Sequence, residues 1–148
     1  MQKVSKNDRE TGEIAKIFLN KILKKGIKHQ GALVIGLSGE LGTGKTAFTQ
    51  AVAKHLGIKS KISSPTFVII KKYSLKNKKY KLLFHLDAYR LKNEKELLYL
   101  GWEEIINKKE HLVFIEWPEN VIKAMPKNTH FVRISHTKNR QRNFELVI

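Results

Sequence analysis

Eight consecutive residues have the types and spacing of a phosphate-binding loop. The stretch Gly39-Glu40-Leu41-Gly42-Thr43-Gly44-Lys45-Thr46 places two glycines around four residues and follows them with lysine and threonine. Glycine lets the backbone adopt conformations closed to other residues, so successive N–H groups can turn inward around a phosphate. The lysine ammonium suits the outer phosphates, and the threonine hydroxyl suits Mg²⁺, which prefers oxygen ligands. The stretch therefore predicts a nucleotide site in which all eight residues line the phosphates.

Two acids are candidates to complete this site. A nucleoside triphosphatase needs a carboxylate for its metal and a group that orients the attacking water. Asp87 follows the apolar run Leu82–Leu86, and Glu116 follows the apolar run Leu112–Ile115. Their positions in the sequence do not show which of the two is the metal carboxylate. An acid at a strand end is also a common solvent-facing boundary residue. With the loop present, we expect at least one of them to act at the site.

Four further side chains near these motifs have two interpretations each. Thr66, after a proline, is either a switch-like residue that senses the terminal phosphate or a simple turn residue. Tyr89 and Trp117 lie beside the candidate acids and either cover the nucleotide or close the core. His85 lies inside a hydrophobic run and is expected to be a packed, satisfied core residue rather than a ligand.

A strand and a helix must position the loop. The apolar run from Ala32 to Leu37 predicts a strand buried on both faces of a sheet. The helical pattern from Lys45 to Leu56 predicts the helix that follows the loop, with Gly57 as its stop signal. This strand, loop and helix are the context that the phosphate-binding pattern requires.

The remaining chain predicts further elements of one α/β domain. A capping-box spacing from Ser5 to Asp8 begins an amphipathic helix that ends near Gly26. The later predictions are strands at Phe67–Tyr73 and Tyr80–Leu86 around a turn at Ser74–Lys79, helices at Asn93–Tyr99 and Trp102–Ile106, a strand at Leu112–Ile115, and strands at Phe131–Ser135 and Phe144–Ile148 around the loop His136–Asn143. The expected fold is a single P-loop NTPase-like domain over residues 1–148, with the P-loop strand in the middle of a central sheet, flanking helices and antiparallel hairpin additions.

Composition excludes several classes of protein. With 148 residues, 41% hydrophobic and 28% charged, the chain suits one soluble domain. It contains no cysteine, no apolar run of membrane-spanning length and a polar N-terminus, so we expect a cytoplasmic protein without membrane contact. The formal net charge of +16 indicates either a nucleic-acid partner or a solvated basic surface, because the lysines are spread along the chain.

Four short motifs follow one another in an informative order. They are Gly-Glu-Leu-Gly-Thr-Gly-Lys-Thr at 39–46, Ser-Pro-Thr at 64–66, His-Leu-Asp-Ala-Tyr-Arg-Leu at 85–91 and Glu-Trp-Pro at 116–118. Together they resemble the TsaE family, the bacterial ATPases of tRNA threonylcarbamoyladenosine synthesis. The resemblance runs from about Ser5 to the C-terminus. It implies a P-loop ATPase that binds ATP and Mg²⁺ and works with the TsaB and TsaD proteins, meeting tRNA indirectly through their complex. In that family TsaD modifies the adenosine beside the anticodon, and ATP hydrolysis resets the complex between turnovers.

The resemblance also implies residue roles. By position, Lys45 contacts the phosphates, Thr46 binds magnesium, and Glu116 holds the metal in the Walker B role. Asp87 lies at the terminal phosphate as a water-orienting or metal-linked carboxylate, and Thr66 is the switch-like residue.

Contacts to the base and ribose are implied for residues at the two ends of the chain. Thr11 and the arginines of the loop 139–142 fall where family members approach these parts of the nucleotide. Arg140 and Arg142 compete for one position, because the glycine that usually precedes the family's arginine is missing here.

Two other functions compete with this interpretation. A small-molecule kinase of the P-loop class would need a lid with clustered arginines, and the five arginines are scattered: Arg9, Arg90, Arg133, Arg140 and Arg142. A basic RNA-binding module with a regulatory nucleotide site would use the positive charge, and its RNA binding would depend steeply on salt. ATP is favoured over GTP, because the nearest match to a guanine-specifying motif, at 77–80, lacks the aspartate.

Overall fold

Seven strands and a set of flanking helices build the domain in the computed structural model, which describes residues 1–24, 30–59, 62 and 69–147. The strands are β1 (Gln2–Ser5), β2 (Leu33–Ser38), β3 (Ile70–Ser74), β4 (Leu82–Asp87), β5 (His111–Glu116), β6 (His130–His136) and β7 (Arg142–Val147). The helices are α1 (Asp8–Lys24), α2 (Lys45–His55), α3 (Glu94–Tyr99), α4 (Trp102–Ile106) and a 3₁₀ helix at Pro118–Ala124.

The strands form one mixed sheet in the order β1-β7-β6-β2-β5-β4-β3. β2 runs parallel to β5 and β6, and β4 runs parallel to β5. The pairs β1–β7, β6–β7 and β3–β4 are antiparallel. β2 is thus the fourth of seven strands, which confirms the prediction that the strand before the loop lies in the middle. The antiparallel hairpin additions are also as predicted, and the structure places them at the two edges of a parallel centre.

Apolar side chains fill both faces of the sheet. On one face α1 and α2 cover a cluster in which Phe48 lies 6.2 Å from Phe18 and 5.8 Å from Phe144 between ring centroids. On the other face the short helices cover a second cluster around Trp102, whose Nε1 donates to the Ala124 carbonyl at 2.9 Å. β2 and β5 are wholly apolar in their inner residues because they contribute to both clusters. Within the described residues, no helix has the length and apolar character needed to cross a membrane.

The prediction for the N-terminus was wrong in one respect. Ser5 does not cap a helix, because it ends β1, where it is buried and its Oγ donates to the Asn7 carbonyl at 2.6 Å. Asn7 is the cap instead: its Oδ1 accepts from the Glu10 N–H at 2.9 Å, and the Glu10 carboxylate accepts from the Lys6 N–H at 2.7 Å. β1 itself was not predicted. The predicted end of α1 near Gly26 lies outside the described residues.

Both predicted hairpins are confirmed, with changed boundaries. β3 and β4 pair antiparallel, but β4 begins at Leu82 rather than Tyr80. Asn77 explains the difference, because its Oδ1 accepts from the N–H groups of Lys79 and Tyr80 at 2.9 and 3.1 Å and prolongs the turn. β6 and β7 also pair antiparallel.

Candidate nucleotide site

The loop between β2 and α2 has the backbone shape expected of a phosphate cradle. Gly39, Gly42 and Gly44 have φ angles of +154°, +77° and +108°, which residues with a Cβ rarely adopt. A Cβ at Gly39 would also collide with the Ile134 carbonyl oxygen. Gly44 caps α2 and offers no side-chain acceptor to the first N–H groups of the helix. An anion at this helix N-terminus can therefore accept hydrogen bonds from those groups.

Lys45 is folded back over the loop. Its side chain is buried, and Nζ donates to the carbonyl oxygens of Gly39 and Glu40 at 2.5 and 2.8 Å. The ammonium also lies 4.6 Å from the centroid of the Trp117 ring. Burial lowers the pKa of Lys45, and the nearby carboxylates of Glu116 and Asp87 oppose this shift. The lysine thus places a positive charge directly over the cradle.

The two candidate acids lie side by side. Asp87 and Glu116 end the parallel strands β4 and β5 and are register partners, and both are buried. Glu116 contacts the loop, because Thr46 Oγ1 donates to its two carboxylate oxygens at 3.2 and 3.3 Å. Asp87 accepts from the Tyr89 N–H at 2.8 Å. Glu116 is therefore nearer to the hydroxyl predicted to bind metal, a distinction that spacing in the sequence did not provide.

His85 has a role in this cluster that sequence reasoning missed. It is fully buried, as expected, but its Nε2 lies 2.7 Å from Glu116 Oε2. An ionised carboxylate only accepts hydrogen bonds, so Nε2 donates in this contact. The other ring nitrogen, Nδ1, has no hydrogen-bond partner among the described residues. The sequence contained one signal for this contact: side chains two residues apart on a strand share a face, so His85 lies on the same face as Asp87. His85 is in register with Phe114, and Glu116 lies two residues beyond Phe114 on β5, so His85 and Glu116 are diagonal neighbours on that face.

Two aromatic residues, Tyr89 and Trp117, closely follow the acids in the chain. Tyr89 and Trp117 lie 5.0 Å apart between centroids, and Tyr89 is 43% exposed. Trp117 has a φ of +59°, and its backbone N–H donates to the Leu37 carbonyl at 3.1 Å. Asn120 holds the two turns together, since its Nδ2 donates to the carbonyls of residues 88 and 89 at 3.0 and 3.2 Å. Trp117 packs both against the second apolar cluster and against Lys45, whereas the Tyr89 ring is half-exposed beside it.

The residues predicted to meet the base and ribose lie around the N-terminal part of α1. The Arg142 guanidinium packs against Gly44, where an added Cβ would lie 3.2 Å from it, and Nη1 lies 3.4 Å from Asp8 Oδ1. Arg140 and Arg142 line a cavity of about 290 Å³ beside residues 5–8. Thr11 is buried, with Oγ1 at 2.8 Å from Ser5 Oγ, and it lines a separate cavity of about 630 Å³ between α1 and α2.

The remaining predicted residues divide into three groups. Thr43 is buried and its Oγ1 donates to the Glu40 carbonyl at 2.8 Å, so this side chain shapes the loop. Glu40 and Leu41 point their side chains to solvent and can offer only their backbone to a phosphate. Thr66 lies outside the described residues, so its switch-like role stays a prediction.

The side chains present fit a magnesium–nucleotide complex. Among the described residues no three His, Asp or Glu side chains cluster as a complete metal site. Mg²⁺ in nucleotide sites uses one or two protein oxygens, with phosphates and water completing the shell. The paired Thr46 hydroxyl and Glu116 carboxylate match that requirement.

Comparisons with known proteins identify one family and one fold. The sequence model of the family described as "Threonylcarbamoyl adenosine biosynthesis protein TsaE" matches residues 5–144. The chain is 36% identical to a Rickettsia felis relative over 114 residues, which are 76% of this chain and 60% of the relative. It is 30% identical to a Haemophilus influenzae relative over 116 residues, which are 78% of this chain and 70% of the relative. Both are named tRNA threonylcarbamoyladenosine biosynthesis protein TsaE. A crystal structure of Bacillus subtilis YdiB superposes with a TM-score of 0.74 at 27% identity and covers 99% of this chain and 83% of that one.

Proposed function

The chain belongs to the TsaE family of tRNA threonylcarbamoyladenosine biosynthesis, and we propose that within this pathway it binds and hydrolyses Mg-ATP. One observation carries the proposal: the Thr46 hydroxyl of the phosphate loop contacts the Glu116 carboxylate that ends the neighbouring strand β5. A loop threonine and a strand-end acid in contact are the protein's share of a magnesium–phosphate site.

Different residues of the site would bind the phosphates and the magnesium ion. Backbone N–H groups of residues 39–46 and the Lys45 ammonium hold the phosphates, and Thr46 and Glu116 would hold Mg²⁺ directly or through water. The bound ion supplies positive charge where negative charge develops during phosphoryl transfer. Lys45 leaves its loop carbonyls for a phosphate at little cost, because hydrogen bonds between charged partners are the stronger ones.

Asp87 acts on the attacking water in this proposal. It lies beside Glu116 at the same end of the sheet, and burial strengthens its electrostatic effect on a nearby proton. His85 is a positioning residue, since its Nε2 fixes Oε2 of Glu116 and leaves the carboxylate one orientation toward Thr46. Trp117 packs against Lys45 and walls the phosphates, while Arg140, Arg142 and Thr11 serve the base and ribose.

We extend the proposal to partners. The chain is expected to work in the cytoplasm with TsaB and TsaD, to meet tRNA through that complex, and to reset it between turnovers. Family membership supports a place in the pathway, and the exposed ring of Tyr89 gives a partner access to the wall of the site. The whole activity is proposed for this chain, which spans 60% of the length of the Rickettsia felis relative.

The test is ATP turnover by the purified chain, alone and with TsaB and TsaD, alongside repeated threonylcarbamoyl transfer to tRNA. Glu116→Ala should weaken Mg²⁺-dependent ATP binding, whereas Asp87→Ala should keep binding and abolish hydrolysis. Glu104→Ala, which removes an exposed acid of α4, is the matched control. Parent-like binding and turnover in both site variants would refute the placement of the site. If ATP turnover is unchanged by TsaB and TsaD but increases when a phosphoryl acceptor is added, a kinase is favoured instead.

A further inference from the structure

Exposed lysines gather at the end of the sheet opposite the phosphate loop. We call this surface the lysine edge, and it consists of Lys76, Lys78, Lys79, Lys81, Lys108 and Lys109. These residues precede β4 and β5, whereas the candidate site lies where these two parallel strands end. A strand rises about 3.3 Å per residue, so the six-residue β4 separates Lys81 from Asp87 by roughly 17–20 Å. The lysine edge is therefore distinct from the nucleotide site.

The loops that carry these lysines are ordered by their own contacts. Leu75 and Tyr80 are buried and anchor the connection between β3 and β4. Asn77 Oδ1 accepts from the backbone N–H groups two and three residues further along, at 2.9 and 3.1 Å. The Lys81 N–H donates to the Glu110 carbonyl at 2.8 Å, which ties this connection to the loop before β5. The two loops thus present their lysines on one common surface.

Acids do not neutralise this surface within the described part of the chain. No Asp or Glu occurs between Lys71 and Leu86 in the sequence. The ion pairs among described residues involve Arg9, His85, Arg133 and Arg142, and none involves the lysine edge. The acids nearest to the second loop along the chain are Glu103, Glu104 and Glu110, and three acids leave the six lysines in excess. Such a concentration of one charge attracts polyanions.

We propose that the lysine edge binds the phosphodiester backbone of RNA. Protein–protein interfaces are depleted in lysine and enriched in aromatic side chains, whereas contacts to a nucleic-acid backbone are supplied by flexible lysine ammonium groups. The exposed large apolar side chains lie elsewhere, for example at Leu98, Tyr99 and Leu100 on and after α3. This inference rests on the proposed function, from which we take the RNA to be the tRNA whose modification the family serves; the chain would then contact this tRNA directly as well as through the complex with TsaB and TsaD. Binding would be independent of sequence and would position tRNA at the side of the domain away from ATP.

The test measures binding of a fluorescently labelled, unmodified tRNA transcript to the full chain by anisotropy, without nucleotide, between 50 and 200 mM salt. The first variant combines Lys76→Gln, Lys78→Gln and Lys79→Gln. The matched control combines Lys92→Gln, Lys95→Gln and Lys123→Gln, which are also exposed and lower the net charge of +16 by the same three units. Each lost phosphate contact lowers the salt slope of log K by about 0.7–0.9. We expect the first variant to lose about 2 units of slope and at least about tenfold in affinity at 100 mM salt.

The outcomes separate this inference from its alternatives. The control should bind tRNA within about twofold of the parent, and Lys108→Gln with Lys109→Gln should weaken binding in the same direction as the first variant. Equal losses in the first variant and the control would show that only total charge matters and would overturn the inference. Competition by polyglutamate as effective as that by unlabelled tRNA would assign the surface to an acidic protein instead. ATP turnover, measured separately, should be unchanged in the first variant, so a parent without turnover would refute the proposed function and not this inference.

Discussion

Removing the His85 hydrogen bond tests whether Glu116 is held in place for a metal ion. The Nε2 to Oε2 distance is 2.7 Å, and the two side chains are 0% and 5% exposed. A hydrogen bond to a charged group contributes about 1.5–3 kcal/mol, which corresponds to roughly 10- to 100-fold in an equilibrium constant. Glu116 would keep only the longer contacts from Thr46. His85→Phe should therefore raise the Mg²⁺ concentration needed for nucleotide binding by about 10- to 100-fold, the range found for residues that orient metal ligands.

The assay titrates Mg²⁺ into the protein with a fluorescent ATP analogue and is repeated with nucleotide alone. Binding without Mg²⁺ should change little, because the loop 39–46 and Lys45 are untouched. His85→Gln is the conservative variant, since its amide N–H can donate to Glu116 and should restore most of the Mg²⁺ response. Leu83→Val lies two residues earlier on the same strand face and controls for lost packing, with a stability cost of roughly 1 kcal/mol. An unchanged Mg²⁺ dependence in a folded His85→Phe protein would refute the reasoning, as would equal effects of the phenylalanine and glutamine variants.

Three other substitutions test the fold and the loop. Gly44→Ala should lower ATP affinity at least about tenfold, because φ is +108° at this position and the new Cβ would lie 3.2 Å from the Arg142 guanidinium. Calorimetric titration with ATP measures this affinity. Phe48→Ala should cost about 3–5 kcal/mol of unfolding free energy in urea, since the ring is buried between two others, and a loss below 1 kcal/mol would contradict that packing. Asn7→Ala should cost about 1 kcal/mol by removing the helix cap, whereas Asn7→Ser should retain most of it.

Much of the sheet could be predicted because its signals are local. The apolar run ending at Leu37 occupies the strand that contributes to both clusters, and the glycines after it have the positive φ angles that the loop requires. The paired positions of Asp87 and Glu116 follow from the rule that parallel strands bring their carboxyl ends to one edge of the sheet. Local pattern and topology together predict where most residues of the candidate site lie in the fold.

What could not be predicted depends on contacts distant in sequence. β1 has an unremarkable sequence and three exposed residues, and it forms a strand only because β7 offers an edge some 140 residues later. Pairing with β7 buries Ser5, and this moves the helix cap to Asn7. The choice of Glu116 over Asp87 as the partner of Thr46 likewise depends on where α2 packs across the sheet. The spacing of residues along the chain does not predict the β1–β7 pairing or the contact between Thr46 and Glu116.

The geometry of Lys45 suggests where control of the site resides. Its two hydrogen bonds to loop carbonyls and its position over Trp117 show a cradle already folded around the ammonium, so nucleotide binding needs little ordering of the loop. In the proposed hydrolysis, the chemical step would depend instead on the orientation of Glu116 and Asp87. The turns after these acids carry Trp117 and the half-exposed Tyr89. A partner that stimulates hydrolysis would then act through these turns, and Tyr89→Ala should reduce stimulation by the partners more than it reduces ATP binding by the isolated chain.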